Sequence, residues 1–194
     1  MEQIGTVARL QVQLSSLKLG ERPHRWFDPA PITEVSILSL IGGGVQGIDA
    51  DGSTLPDVHH PDYGAGKNRG NNGISVGFTS HYDAMRTRFG DHLTNGIAGE
   101  NLLIATSRMF TVDDLAADLF VEADSGDMLR LEQIIVAAPC VEFTRYALRF
   151  PDDARPDRTV ADALLFLNDG MRGYYATYDG PIERIHVGNR VFLG

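Results

Sequence analysis

The sequence predicts a mainly β protein: a closed β-barrel with several peripheral helices, in one domain spanning residues 1–194. Three observations predict it. Short alternating or continuous apolar runs recur along the chain. Tight-turn pairs, Asp179-Gly180 and Gly188-Asn189, separate the last of these runs. Helical periodicity is confined to a few stretches, and the repeating strand–helix alternation of a doubly wound sheet is not visible.

The elements follow in order. Ala8, Leu10, Val12 and Leu14 alternate with Arg9, Gln11 and Gln13, the pattern of a half-buried strand. Residues 20–31 hold Trp26 and three prolines and read as an irregular connection. Residues 34–41 form a second strand that stops at Gly42-Gly43-Gly44. Residues 42–73 are rich in Gly, Asp, Asn and Pro and predict a long loop with at most a short hairpin, mobile until an anionic ligand orders it. A short strand at 74–76 leads to a helix in which Ser80 and Asp83 have capping-box spacing and Gly90 ends the turn. A strand at 102–104 and a Thr111/Asp114 capped start follow. The strand predicted over 128–138 bends near Glu132 and Gln133, a helix covers 139–150, and 153–158 is a charged loop. A helix over 159–169 and strands at 173–178, 182–187 and 190–193 complete the chain.

A chain of 194 residues with 43% hydrophobic content can bury a real core. A net charge of −9 argues against non-specific nucleic-acid binding, but leaves room for a local basic pocket. No opening signal segment or membrane-length apolar run is present, so the expected compartment is the cytoplasm, with no membrane partner. One cysteine excludes an internal disulfide and a Cys-rich zinc site.

That residue, Cys140, lies between the apolar run 134–138 and the helical pattern that starts at Val141. A thiol there meets unpaired N–H groups and the positive end of a helix dipole, and both favour thiolate. The order Gly99-Glu100-Asn101, then Gly126-Asp127, then Pro139-Cys140, then Gly170-Met171-Arg172-Gly173, then Val187-Gly188-Asn189-Arg190 resembles the MOSC family, the C-terminal domain type of molybdenum cofactor sulfurases. The resemblance covers roughly 74–194. It implies a closed barrel of the MOSC, pyruvate kinase barrel-like type. It also implies that Cys140 carries sulfur or ligates molybdenum, in sulfur transfer to a metal cofactor or in molybdenum-dependent reduction of N-hydroxylated compounds. The cofactor implied is molybdopterin. Pyridoxal phosphate enters only through a partner cysteine desulfurase, and any redox role needs an electron-donor protein.

Gly99, Glu100, Asn101, Arg145 and Arg172 are the expected cofactor-binding residues around Cys140, with Glu100 shaping the pocket from behind. Arg145 and Arg172 would gather positive charge beside the thiol. Lys67 and Arg69, with Arg86 and Arg88, offer a basic rim for phosphate, and His81 stands at a helix start where it can face the site. Relatives carry a Gly-Val-x-Gly-Asp-x-His stretch from which Gly44-Val45-Gln46-Gly47-Ile48-Asp49 departs. Adjacent His59 and His60 lack the spacing of a zinc site. Gly64-Ala65-Gly66-Lys67 fails the phosphate-loop pattern. Two further classes stand beside the leading one: a serine hydrolase using Ser75, from Gly73-Ile74-Ser75-Val76-Gly77, and a non-catalytic barrel that binds a partner.

Overall fold

The structure is a computed structural model that describes residues 1–64, 66–151 and 154–194. Its strands are β1 (Glu2–Gln13), β2 (Lys18–Leu19), β3 (Trp26–Phe27), β4 (Ile32–Glu34), β5 (Ile37–Ile41), β6 (Gly44–Ile48), β7 (Thr54–Pro56), β8 (Ile74–Phe78), β9 (Leu102–Ala105), β10 (Leu119–Glu122), β11 (Met128–Val136), β12 (Tyr174–Thr177), β13 (Glu183–His186) and β14 (Arg190–Leu193). Its helices are α1 (Thr79–Phe89), α2 (Val141–Leu148) and α3 (Arg158–Leu167), with a 3₁₀ turn at Asp114–Ala117. The Gly64-Ala65-Gly66-Lys67 stretch and the predicted 153–158 loop each include residues outside those described.

Seven strands close a barrel in the order β1-β14-β10-β11-β12-β8-β9, and β9 returns to β1. The length of β1 makes closure possible. Its first half pairs with β14, its middle with β9 and its last three residues with β4. All barrel neighbours are antiparallel except β8 and β9, which run parallel and are bridged by α1. The molecule therefore contains one strand–helix–strand crossover within an otherwise antiparallel barrel. β5, β6, β7 and β13 form a second, four-stranded sheet.

Several local expectations are corrected. The alternation of the first strand breaks where register shifts between Val7 and Arg9. Leu10 and Val12 remain buried, but Ala8 and Leu14 face outward while Gln11 and Gln13 are buried. The bulge puts two residues opposite one and turns Ala8 out, while beyond it Gln11 and Gln13 are covered on the other face, their amides bonded to Gly96 O and Gly99 O. Residues 42–73 hold the short hairpin expected of them, β6–β7, but are otherwise less open than expected, since Asp57, Val58, His59, His60 and Asn72 are buried. Ser80 does not cap α1, since its hydroxyl bonds Arg108 O at 2.7 Å and the cap position is Phe78, without a side-chain bond. The Gly188-Asn189 turn joins strands that do not pair, because β13 pairs with β5. Thr111 and Asp114 do cap each other reciprocally. The bend in β11 is real: Gln133 has φ 50° and the register shifts between Glu132 and Ile135.

The barrel interior is apolar. Phe78 stacks on Phe110 at 4.8 Å and meets Tyr174 edge-on at 6.0 Å, among Leu10, Ile74 and Leu102. A second apolar cluster under the helices includes Leu17, Phe27, Tyr82, Met85 and Phe143, with Cys140 against its edge.

Candidate functional site

The bend in β11 and the end of that strand at Val136 deliver the chain to Pro139 and then to α2. Cys140 is the N-cap of that helix. Its Sγ accepts the Phe143 N–H at 3.5 Å, and its carbonyl holds Thr144 through both N–H and hydroxyl. Cys140 is half-buried. The thiol thus sits where the sequence places it, on the open N–H groups of a helix start.

Beside it lies a cavity of about 460 Å³. Lys18, Lys67, Arg69 and Arg172 line it, and its described lining includes no aspartate or glutamate. In a chain with net charge −9, four cations lining one hollow is a local reversal, with Glu142 just outside the wall, 3.9 Å from Lys18 and hydrogen-bonded to the Cys140 side chain. Lys67 and Arg69 are held there by asparagines. Asn72 bonds Arg69 N and Lys67 O, while Asn68 bonds Gly43 O and His59 O. The Asn-rich stretch is thus a frame for two cations. Burial, then the positive neighbours Lys18 and Arg25, hold the Lys67 ammonium below its ordinary pKa.

Arg172 donates from Nη2 to Ala98 O at 2.9 Å, and its guanidinium lies 5.9 Å from the Phe143 ring centroid. Its Nε is sealed from water and without a hydrogen bond. Burial works against its charge, but Tyr175, Glu100 and Cys140 outweigh that and raise its pKa. Glu100 is buried behind it. One carboxylate oxygen takes the Tyr82 hydroxyl at 2.7 Å, and the other has no partner. Burial raises the Glu100 pKa despite the opposing pull of Arg172. Gly99 must be glycine: its φ is 90°, and a Cβ would come within 2.6 Å of Leu17 and 2.7 Å of the Gln13 amide.

Behind the opposite wall runs a buried polar ladder. Ser75 Oγ donates to Asn101 Oδ1 at 2.8 Å, and Asn101 Nδ2 donates to Asp57 Oδ2 at 2.9 Å. Asp57 also accepts from Gln13 N, from His59 N and from His59 Nδ1, the last at 2.9 Å. His59 reaches the cavity wall and stands 6.1 Å from the Tyr175 ring.

The structure therefore brings Cys140, Arg172, Lys67 and Arg69 to one cavity, with Gly99 and Glu100 lining a small void behind Arg172. Asn101 belongs to the supporting ladder. Arg145 does not share this cavity. It faces a neighbouring hollow of about 580 Å³ that also touches Cys140, and it bonds Ala154 O. The five-residue offset from Cys140 turns it to the other side of the thiol. His81 is not brought to the site either: its ring is bonded to Gly170 O and Phe110 N. Arg86 pairs with Asp83, and Arg88 lies over Phe166. Ser75 sits in mid-strand rather than on an elbow, and its hydroxyl bonds Asn101 rather than a histidine, which overturns the hydrolase reading. His59 and His60 part company: His59 turns to Asp57, and His60 Nδ1 accepts Asp62 N–H.

Sequence reasoning missed His59, Tyr175, Lys18 and Gln13 as cavity residues. The Asp57-Val58-His59 spacing was the available signal, because an aspartate side chain accepts the N–H two residues on in a turn, as it does here. No helix among the described residues is long and apolar enough to cross a membrane. No protein-family model and no curated protein matches the chain. Its structure is similar to the crystal structure of the YUAD protein from Bacillus subtilis, with a TM-score of 0.56 at 12% identity, over 98% of this chain and 94% of that one. That likeness supports the barrel fold.

Proposed function

We propose that this chain is a cytoplasmic MOSC-like protein whose Cys140 cavity binds an anionic molybdenum cofactor, with the thiolate as ligand to the metal or as carrier of sulfur. One observation carries the reading: Cys140 and four cations line a single cavity that has no carboxylate among its described lining residues. The residues suit the group in kind. A pterin phosphate asks for guanidinium and ammonium donors, which Arg69, Arg172 and Lys67 supply. A soft metal or a persulfide asks for a cysteine sulfur, which Cys140 supplies at the cavity wall.

Bound there, the cofactor would supply the metal-centred redox or sulfur chemistry. The chain's own part is to bind, orient and compensate charge. Arg172, fixed by Ala98 O and backed by Glu100, holds positive charge at the floor of the cavity. Lys67 and Arg69 close the rim from the Asn-framed loop. A desulfurase or an electron-donor protein completes either chemistry.

Pterin and molybdenum analysis of protein freshly purified from cells that make the cofactor tests the reading. The wild type should hold both, Cys140→Ser should lose metal or transferable sulfur, and Arg172→Met should lose most of the pterin. Wild-type protein free of molybdenum, pterin and persulfide sulfur would favour a binding barrel without this chemistry.

A further inference from the structure

We infer that His59, held by Asp57, is the proton-carrying member of the Cys140 cavity, so that oxyanions bind there together with a proton. The inference deepens the reading of that cavity as an anion site and rests on it.

The geometry begins with Asp57, which has no solvent exposure. Four donors converge on its carboxylate: Gln13 N at 2.7 Å, and Asn101 Nδ2, His59 N and His59 Nδ1 at 2.9 Å each. A carboxylate so surrounded acts as acceptor only. The Nδ1 atom of His59 must then carry the hydrogen, whichever charge the ring has. That fixes the tautomer and leaves Nε2 as the working atom. Among the described residues nothing bonds that Nε2, and the side chain is about a tenth exposed at the cavity wall. His81, by contrast, uses both nitrogens, on Gly170 O and Phe110 N, and His60 Nε2 is unpartnered but sealed from water, whereas His59 stands at the cavity wall.

The electrostatics give the proton its direction. Facing the ring are Asp57 behind it and Tyr175 beside it, with Lys18, Lys67, Arg69, Cys140 and Arg172 around the cavity. An oxyanion held among these cations gives Nε2 an acceptor, and imidazolium then donates from Nε2 to an anion oxygen while Asp57 compensates the ring. The proton comes from solvent, no bond other than N–H forms, and it stays positioned for transfer to a ligand oxygen.

Calorimetric titration of the full chain with molybdate, in two buffers of different ionisation enthalpy, tests this. Uptake of a proton makes the observed heat differ between buffers. Wild type should take one up, with affinity about tenfold higher near pH 6 than near pH 8. His59→Gln should lose both the uptake and the pH dependence, whereas Lys67→Met should keep the uptake. The ¹⁵N spectrum of the wild-type ring adds a measurement that no variant can confound, and should report hydrogen on Nδ1 in the neutral form. Molybdate binding without proton uptake, uptake that survives His59→Gln, or a neutral ring with hydrogen on Nε2 overturns the inference while leaving the anion site standing. No binding at either pH overturns both.

Discussion

The barrel interior and the Cys140 cavity lie on opposite sides of the same strands and are built on opposite terms. Inside, Phe78, Phe110 and Tyr174 fill the space, and the Tyr174 hydroxyl finds Phe110 O at 2.7 Å. Outside, the end of β1, the β11–α2 junction and the Asn-framed loop enclose a hollow lined by cations and amides. The barrel is therefore a scaffold and not a container. Its stability comes from buried apolar area, which is indifferent to direction. The cavity's form comes from hydrogen bonds, which are directional and fix individual side chains. Asn101 joins the two regimes, since it follows Glu100 at the start of β9 and bonds Ser75 on β8, Gln11 O on β1 and Asp57 under the cavity.

Substitutions on the two sides should separate stability from chemistry. The largest loss should come from Phe78→Ala, about 3–5 kcal/mol by the usual cost of emptying a buried aromatic site. A denaturant midpoint would report it, and the alkylation rate of Cys140 in the still-folded protein should stay near wild type. Asn101→Leu should cost less, about 1–3 kcal/mol, because Asp57 and the Ser75 N–H each lose a partner. Here Cys140 reactivity or molybdate affinity should change as well. Equal behaviour of the two variants in the cavity assays would erase the proposed division.

Glu100 sharpens the comparison through pH. Burial raises its pKa above the ordinary 4.5. The folded state then holds its proton more tightly than the unfolded chain does. Its contribution is most favourable below the ordinary value and is lost as pH climbs from there to the raised value, after which it is constant. Glu100→Gln stays neutral and keeps an acceptor for Tyr82. The stability of this variant relative to wild type should therefore rise across that window and then level. Unfolding midpoints measured over a pH series would check it, and a flat difference would mean that Arg172 balances the carboxylate fully.

Much of this was legible in the sequence, and the failures have physical causes. The barrel could be read because short strands and turn pairs are local signals, and the β11 bend because Glu132 and Gln133 interrupt an apolar run. Cys140 could be read because a strand–Pro–Cys–helix boundary is local too. The Val7/Arg9 bulge could not, since only pairing with Ile104 and Leu103 creates it. Ser80 has a capping sequence, but α1 already starts at Thr79, and the Ser80 hydroxyl donates to Arg108 O, 28 residues away. Arg145 and Arg172 looked equivalent as cations near a thiol. The sequence does not say which side of α2 the cavity occupies, and so Arg172 lines it and Arg145 does not. His59 was hidden by its neighbour, because an adjacent pair invites a metal reading while only Asp57 explains one of the two.

The smallest expected effect is also the most diagnostic, and it comes from comparing two helix starts. α3 is capped by Asp157, whose carboxylate accepts Val160 N–H at 3.2 Å. α2 is capped by Cys140 Sγ, which accepts Phe143 N–H at 3.5 Å. The geometry is the same, residue i to residue i+3, but sulfur is a weak acceptor and oxygen is a strong one. Removing the strong cap with Asp157→Ala should cost about 1 kcal/mol. Cys140→Ser replaces sulfur with the preferred capping atom, so it should change stability by no more than a few tenths of a kcal/mol, toward greater stability. The same variant should lose all alkylation, since this is the chain's one cysteine. If Cys140→Ser instead destabilised the fold by more than about 1 kcal/mol, the thiol would be serving the packing of the cluster that it touches beside Phe143 and Phe27. A serine that stabilised the fold by a few tenths of a kcal/mol would mean that sulfur is the poorer cap for α2, and that the thiol serves the cavity it faces rather than the helix.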